Sequence, residues 1–174
     1  MKRIGIASGA LVLCALAALP ALAEIPSAAA DCARDLIETT PSSDFTALEG
    51  GAVVRHEPTG LVWQRCPAPM EWTGSSCEGA AGVTGWRGAL QYADGEMDWR
   101  LPNVKELRSI VERCRGNPAI NQKVFPETPR GYFRSSSPVA YDSGLAWLIN
   151  FGAGYSSWRD KNMDAHVRLV RGGH

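Results

Sequence analysis

Residues 152–162, Gly-Ala-Gly-Tyr-Ser-Ser-Trp-Arg-Asp-Lys-Asn, combine the side chains most suited to holding a ligand. Tyr155 and Trp158 offer flat apolar faces, and Arg159 and Lys161 add cationic hydrogen-bond donors within the same short stretch. Sugar rings stack on such faces, and sulfates or carboxylates accept the paired N–H groups of a guanidinium. The segment is polar and rich in Gly and Ser, so it reads as a loop rather than a buried strand. The competing reading is a solvated loop whose aromatic residues pin it to the body.

Catalytic, metal and redox chemistry find less support. His56, His166 and His174 are scattered and fit no catalytic signature. Ser135-Ser136-Ser137 lacks the G-x-S-x-G setting of a nucleophile elbow, so an enzyme is not expected. Cys32, Cys66, Cys77 and Cys114 contain no C-x-x-C pair and have no H-x-x-x-H companion. A zinc site or a dithiol redox site is therefore not expected, and no cofactor is implied. An even set of cysteines in an exported domain reads as disulfides. Three pairings exist. Cys66 and Cys77 bracket a Pro-, Gly- and Ser-rich loop, which favours a local bridge and leaves Cys32–Cys114 to staple the N-terminal segment to the end of a helix.

Export is read from the first residues. Lys2 and Arg3 precede an apolar run from Ile4 to Leu19, then Pro20 and Ala21-Leu22-Ala23, the pattern of a secretory signal cut after Ala23. Bulky Leu13 before Cys14 argues against a lipoprotein signal. The expected organisation is a signal peptide over 1–23, a loosely ordered leader over 24–44 and one domain over 45–174. The protein is expected in the periplasm or at the cell surface, with no membrane span after cleavage. Eighteen basic and 18 acidic residues give a formal net charge of +0, so no global field draws nucleic acid.

The elements that must position the aromatic and basic loop follow from local signals. Ala52–His56 and Leu61–Arg65 flank Glu57-Pro58-Thr59-Gly60, a tight turn, and predict a β-hairpin. Trp86–Asp94 predicts a helix with Trp86, Ala89, Leu90 and Ala93 on one face. A second helix over 103–114 starts at a capping box, Asn103 with Glu106, after the strand stop at Pro102. Its apolar face would carry Val104, Leu107, Val111 and Cys114. Strands are expected at Tyr132–Ser135, Leu145–Phe151 and Ala165–Arg171. Trp63, Trp86, Trp99 and Trp147 read as core, and Arg168 and Arg171 as surface or ion-paired positions. The class is α+β with an antiparallel sheet.

Four ordered blocks carry a resemblance. They are Thr59-Gly60-Leu61-Val62-Trp63-Gln64-Arg65-Cys66, and Asp98-Trp99-Arg100-Leu101-Pro102-Asn103 running on to Val111. The third is Tyr132-Phe133-Arg134-Ser135-Ser136-Ser137 with Ala146-Trp147-Leu148-Ile149-Asn150-Phe151, and the last is Val167-Arg168-Leu169-Val170-Arg171-Gly172. Together the chain resembles the Lcl C-terminal domain family, named for the C-terminal domain of the Legionella collagen-like adhesin. The resemblance implies a C-type-lectin-like single domain of two helices and twisted antiparallel strands. It also implies extracellular binding of sulfated polysaccharides. By that analogy Arg130, Arg134 and Tyr141 come from neighbouring loops and extend the surface of Tyr155, Trp158, Arg159 and Lys161, with loops around 130–143 and 152–164 holding the ligand. The superfamily includes an oxidase with a late pair of reactive cysteines, but no cysteine follows Cys114 here. A calcium lectin is not expected either, because Glu57-Pro58-Thr59 stands where no calcium-binding triplet belongs and Asn150 has no adjacent acid. The leading expectation is a non-catalytic module for an anionic polysaccharide. The alternative is a structural or protein-interaction subunit of a surface assembly.

Overall fold

The computed structural model describes Cys32 and residues 36–173; the expected signal peptide, most of the leader and His174 lie outside the described residues. No helix among the described residues is long and apolar enough to cross a membrane. Among the described residues nine strands and two α-helices follow in chain order: β1 (Phe45–Leu48), β2 (Val53–His56), β3 (Leu61–Gln64), β4 (Glu71–Trp72), β5 (Cys77–Glu78), α1 (Trp86–Asp94), α2 (Val104–Arg108), β6 (Tyr132–Val139), β7 (Asp142–Asn150), β8 (Tyr155–Asp160) and β9 (Val170–Arg171).

The predicted hairpin is β2–β3. Its turn closes with the Gly60 N–H on His56 O at 2.8 Å, and Gly60 takes φ +69°, a conformation side chains disfavour. β1 and β9 flank it in the order β1-β2-β3-β9, so the last strand returns to pair with the first hairpin. A second antiparallel sheet, β6-β7-β8, carries the candidate loop, and β4–β5 form a small ribbon closed by Cys66–Cys77. The main core lies between the two larger sheets, with Trp63, Leu107, Phe125, Phe133, Ile149 and Phe151 fully buried. Burying each such side chain stabilises the fold by about 2 kcal/mol. A smaller cluster beneath α1 gathers Ala89, Ala93, Leu101, Val167 and Leu169.

The turn from Arg100 to Glu106 shows why two of the sequence blocks belong together. Arg100 exchanges backbone bonds with Val170, and its guanidinium grips the Glu106 carboxylate at 2.7 and 2.8 Å while donating to Gly172 O. Glu106 also accepts the Asn103 N–H, and Asn103 Oδ1 accepts from Lys105 and Glu106, completing the predicted capping box. The turn then seats on the serine block of β6, where Ser137 Oγ accepts the Val104 N–H and Pro102 O accepts the Ser136 N–H. β6 is bulged there, between Arg134 and Pro138. The bulge makes room for the helix start.

Four expectations need correction. The second helix, predicted over 103–114, ends at Arg108. β-branched Ile110 and Val111 follow, and beyond them Glu112 is held by tertiary bonds that a continuing helix would break. Its buried carboxylate accepts the backbone N–H groups of Thr39, Thr40 and Cys114 and the hydroxyls of both threonines. Residues 39 and 40 are consequently anchored rather than loose, beside the Cys32–Cys114 disulfide. The segment 155–160 is a strand, because β7 has a second edge whose backbone groups need partners whatever the side chains are. Finally, Arg168, expected at a surface or ion-paired position, is fully buried and has no ion-pair partner among the described residues. It donates to Gln64 O and Arg65 O and to Thr128 Oγ1, its guanidinium lies 4.8 Å from the Phe125 ring centroid, and burial lowers its pKa to about 9. At neutral pH it is a cation inside the core. Arg171, by contrast, pairs with Glu49 as expected.

Both expected disulfides are present, Cys32–Cys114 and Cys66–Cys77. The first spans 82 residues, a closure that stabilises by about 4 kcal/mol in the chain-entropy view.

Candidate functional site

Strand alternation decides where the aromatic and basic residues point. Cross-strand partners in β6-β7-β8 share a face, and neighbours along a strand take opposite faces. Tyr132, Asn150 and Tyr155 are partners across the three strands, so they form one row. Trp147 and Trp158 are partners on the other face.

On the first face the Tyr132 and Tyr155 hydroxyls are 2.9 Å apart, with Asn150 Nδ2 donating to Tyr155 Oη at 3.4 Å. Arg159 reaches the same point: its Nη2 donates to Tyr132 Oη at 2.9 Å, and its guanidinium lies 5.2 Å from the Tyr132 ring centroid. Its Nη1 donates to Ser157 Oγ and Trp158 O. The hydrogen bond from Tyr155 holds the Tyr132 phenol below its ordinary value, helped by Asn150 and by the charge and hydrogen bond of Arg159 against a smaller upward push from burial. The same bond pushes Tyr155 up. The cluster is an ordered, solvent-facing rim of ring faces and polar groups, with Tyr155 44% exposed. Neither described histidine joins it: the His56 ring stacks on Phe45, and His166 Nδ1 bonds Gly82 O.

The residues predicted to form one surface are thus divided. Tyr155 and Arg159 stay together. Arg130 is exposed at the same end of the sheet, next to Gly131, whose carbonyl accepts the Phe151 N–H. Trp158 leaves them for the opposite face. Lys161 lies past the far end of β8, its Nζ 4.1 Å from the Trp86 ring centroid. Tyr141 is exposed at the β6–β7 turn, the opposite end of the sheet from Tyr155. Arg134 does not extend the surface at all. It is fully buried and donates to the carbonyls of Asp160, Lys161 and Met163, which ties the end of β8 to β6. Burial pushes its guanidinium down, against the opposing charges of Asp160 and Asp164.

Tyr132 and Asn150 were missed as site residues, because their place beside Tyr155 exists only through strand register. The tryptophans read as core also differ from one another. Trp63 is fully buried, whereas Trp86, Trp99 and Trp147 are only partly covered.

Buried Glu112 and the half-buried Cys32 and Cys114 have metal-ligand atoms close together, but both sulfurs are in the disulfide and Glu112 is occupied by backbone N–H groups. They form a structural anchor.

The family model of the Lcl C-terminal domain matches residues 52–171 of the chain. No curated protein and no solved structure matches it.

Proposed function

The chain belongs to the Lcl C-terminal domain family, and on that premise we propose that it is an exported, non-catalytic module of adhesin type that binds an anionic, sulfated polysaccharide. The pairing of β9 with the first hairpin supports a C-type-lectin-like scaffold. A signal-like N-terminus and two disulfides support export. Fold alone does not name a ligand, so the reading is carried by the surface of β8. One observation carries it: on the outermost strand of an antiparallel sheet, Tyr155, 44% exposed, shares a face with an arginine ordered by the Tyr132 ring and hydroxyl, and Trp158, equally exposed, stands on the other face of the same strand. Exposed rings of this size beside cationic donors fit sugar faces and acidic substituents.

The test is binding of the oxidised protein to heparin and to neutral dextran at low and high salt. Salt-weakened binding to heparin alone is expected, with Tyr155→Ala/Arg159→Ala losing about tenfold in affinity while keeping the native near-UV spectrum. Folded wild type that retains neither polymer would overturn the polysaccharide reading and leave a protein partner as the ligand class.

A further inference from the structure

The chain's six tryptophans separate by what covers their rings. Trp63 is buried. Three others carry a cation from the protein itself: Arg65 lies 4.3 Å from the Trp72 ring centroid, Lys161 4.1 Å from that of Trp86 and Arg171 4.7 Å from that of Trp99. Among the described residues no such cation covers Trp147 or Trp158. These two are cross-strand partners, so both project from the face of the sheet that α2 packs on.

Between α2 and that face runs a groove of about 190 Å³, lined by Val104, Lys105, Arg108, Trp147 and Ser156. Lys105 and Arg108 are three apart on the helix and share a side of it. Both are exposed, and among the described residues neither side chain enters a hydrogen bond or ion pair. The acids nearby are occupied. Glu106 is held by Arg100 and by the Asn103 N–H, and Asp160, on the same face of β8 as Trp158, accepts the Asn162 N–H at 2.7 Å. A cation in the last turn of a helix favours its dipole by a few tenths of a kcal/mol, which accounts for Arg108 but not for Lys105 near the helix start or for the uncovered tryptophans beside them.

We propose that this groove is a binding subsite for one sulfated or carboxylated sugar residue, its ring against Trp147 and Trp158 and its anionic group between Lys105 and Arg108. The inference rests on the polysaccharide reading above and deepens it by assigning the acidic sugar to the α2 side of the sheet. The volume is below the roughly 300–1,000 Å³ of pockets that take drug-sized molecules, so it suits a single ring of a longer chain. A neutral sugar would leave both cations without a counter-charge.

The discriminating experiment measures affinity of the oxidised full chain for size-defined heparin oligosaccharides, by calorimetry and by tryptophan fluorescence. Lys105→Ala/Arg108→Ala is expected to lose about tenfold and to flatten the salt dependence. Arg87→Ala/Arg113→Ala removes the same charge from exposed positions outside the groove and is expected to keep wild-type affinity. Trp158→Phe is expected to reduce the ligand-induced fluorescence change. If wild type binds but Lys105→Ala/Arg108→Ala binds equally well, or if the control pair loses as much, the subsite is overturned and the polysaccharide reading stands. If wild type binds no sulfated oligosaccharide, both fall together.

Discussion

Cationic side chains do opposite work in the interior and at the surface of this fold. Inside, Arg134 and Arg168 are fully buried, and their N–H groups tie backbone carbonyls of distant segments together. At the surface, Arg159 orders an exposed rim of tyrosine, and the side chains of Lys105 and Arg108 have no hydrogen-bond or ion-pair partner among the described residues. The buried cations are fixed by several acceptors each, so they belong to stability. Among the described residues no carboxylate pairs with the outer ones, which leaves their charge for a ligand. A guanidinium's role here is set by how many protein carbonyls surround it, not by its position in a basic or aromatic-rich stretch.

The comparison breaks first at Arg168. Arg168→Met retains most of the volume but abandons Gln64 O, Arg65 O and Thr128 Oγ1, which lie where water does not reach easily. Buried acceptors left without donors are expected to cost about 3 kcal/mol together. Urea denaturation of the oxidised protein reads this as a lower midpoint at unchanged slope. A neutral result would mean that the buried guanidinium is no strut, and the contrast with the outer surface would lose its basis.

Glu112 sharpens the same contrast from the acidic side. Its carboxyl is pushed up by burial, but the N–H groups of Thr39, Thr40 and Cys114 and the Thr40 hydroxyl outweigh that and hold it below the ordinary value of 4.5. Glu106 is likewise depressed, with burial again opposing and Arg100 and the Asn103 N–H prevailing. For both groups the unfolded chain takes up protons first as pH falls. Their stabilisation is complete above the unfolded value of 4.5 and is lost as pH drops through the depressed folded values. Glu112→Gln is expected to lower stability at neutral pH by about 2 kcal/mol and to flatten the acid limb of the melting temperature. A variant that keeps the full acid dependence would place that dependence elsewhere.

What could be read in the sequence divides along similar lines. The β2–β3 turn, α1, the Asn103–Glu106 box and Cys66–Cys77 were legible because short-range signals decide them, and Cys32–Cys114 followed as the pair left over. The length of α2 was not, because Glu112 leaves the helix for Thr39 and Thr40, far away in the chain. β8 was hidden for a related reason: a Gly- and Ser-rich segment becomes a strand when a partner edge demands it. The chemistry of Tyr155, Trp158 and Arg159 was visible, but its division between two faces depends on that strand and so was not. Arg168 offered one clue, standing among Val167, Leu169 and Val170. Arg134 stood next to a serine run and offered none.

The smallest expected effect is the one that tests whether the outer cations are dispensable to the fold. Arg159 makes hydrogen bonds to Tyr132, Ser157 and Trp158, but the site is open to water, which replaces each bond when the side chain is removed. Arg159→Ala and Lys105→Ala/Arg108→Ala are each expected to shift unfolding free energy by no more than about 0.5 kcal/mol. The same urea midpoints measure it, with Arg168→Met as the internal reference. A loss from Arg159→Ala comparable to that of Arg168→Met would make the tyrosine rim a structural lock, and its arginine would join the buried pair as a strut. A loss confined to Arg168→Met would leave the outer face of β8 and the α2 groove as surfaces whose charges the fold does not need.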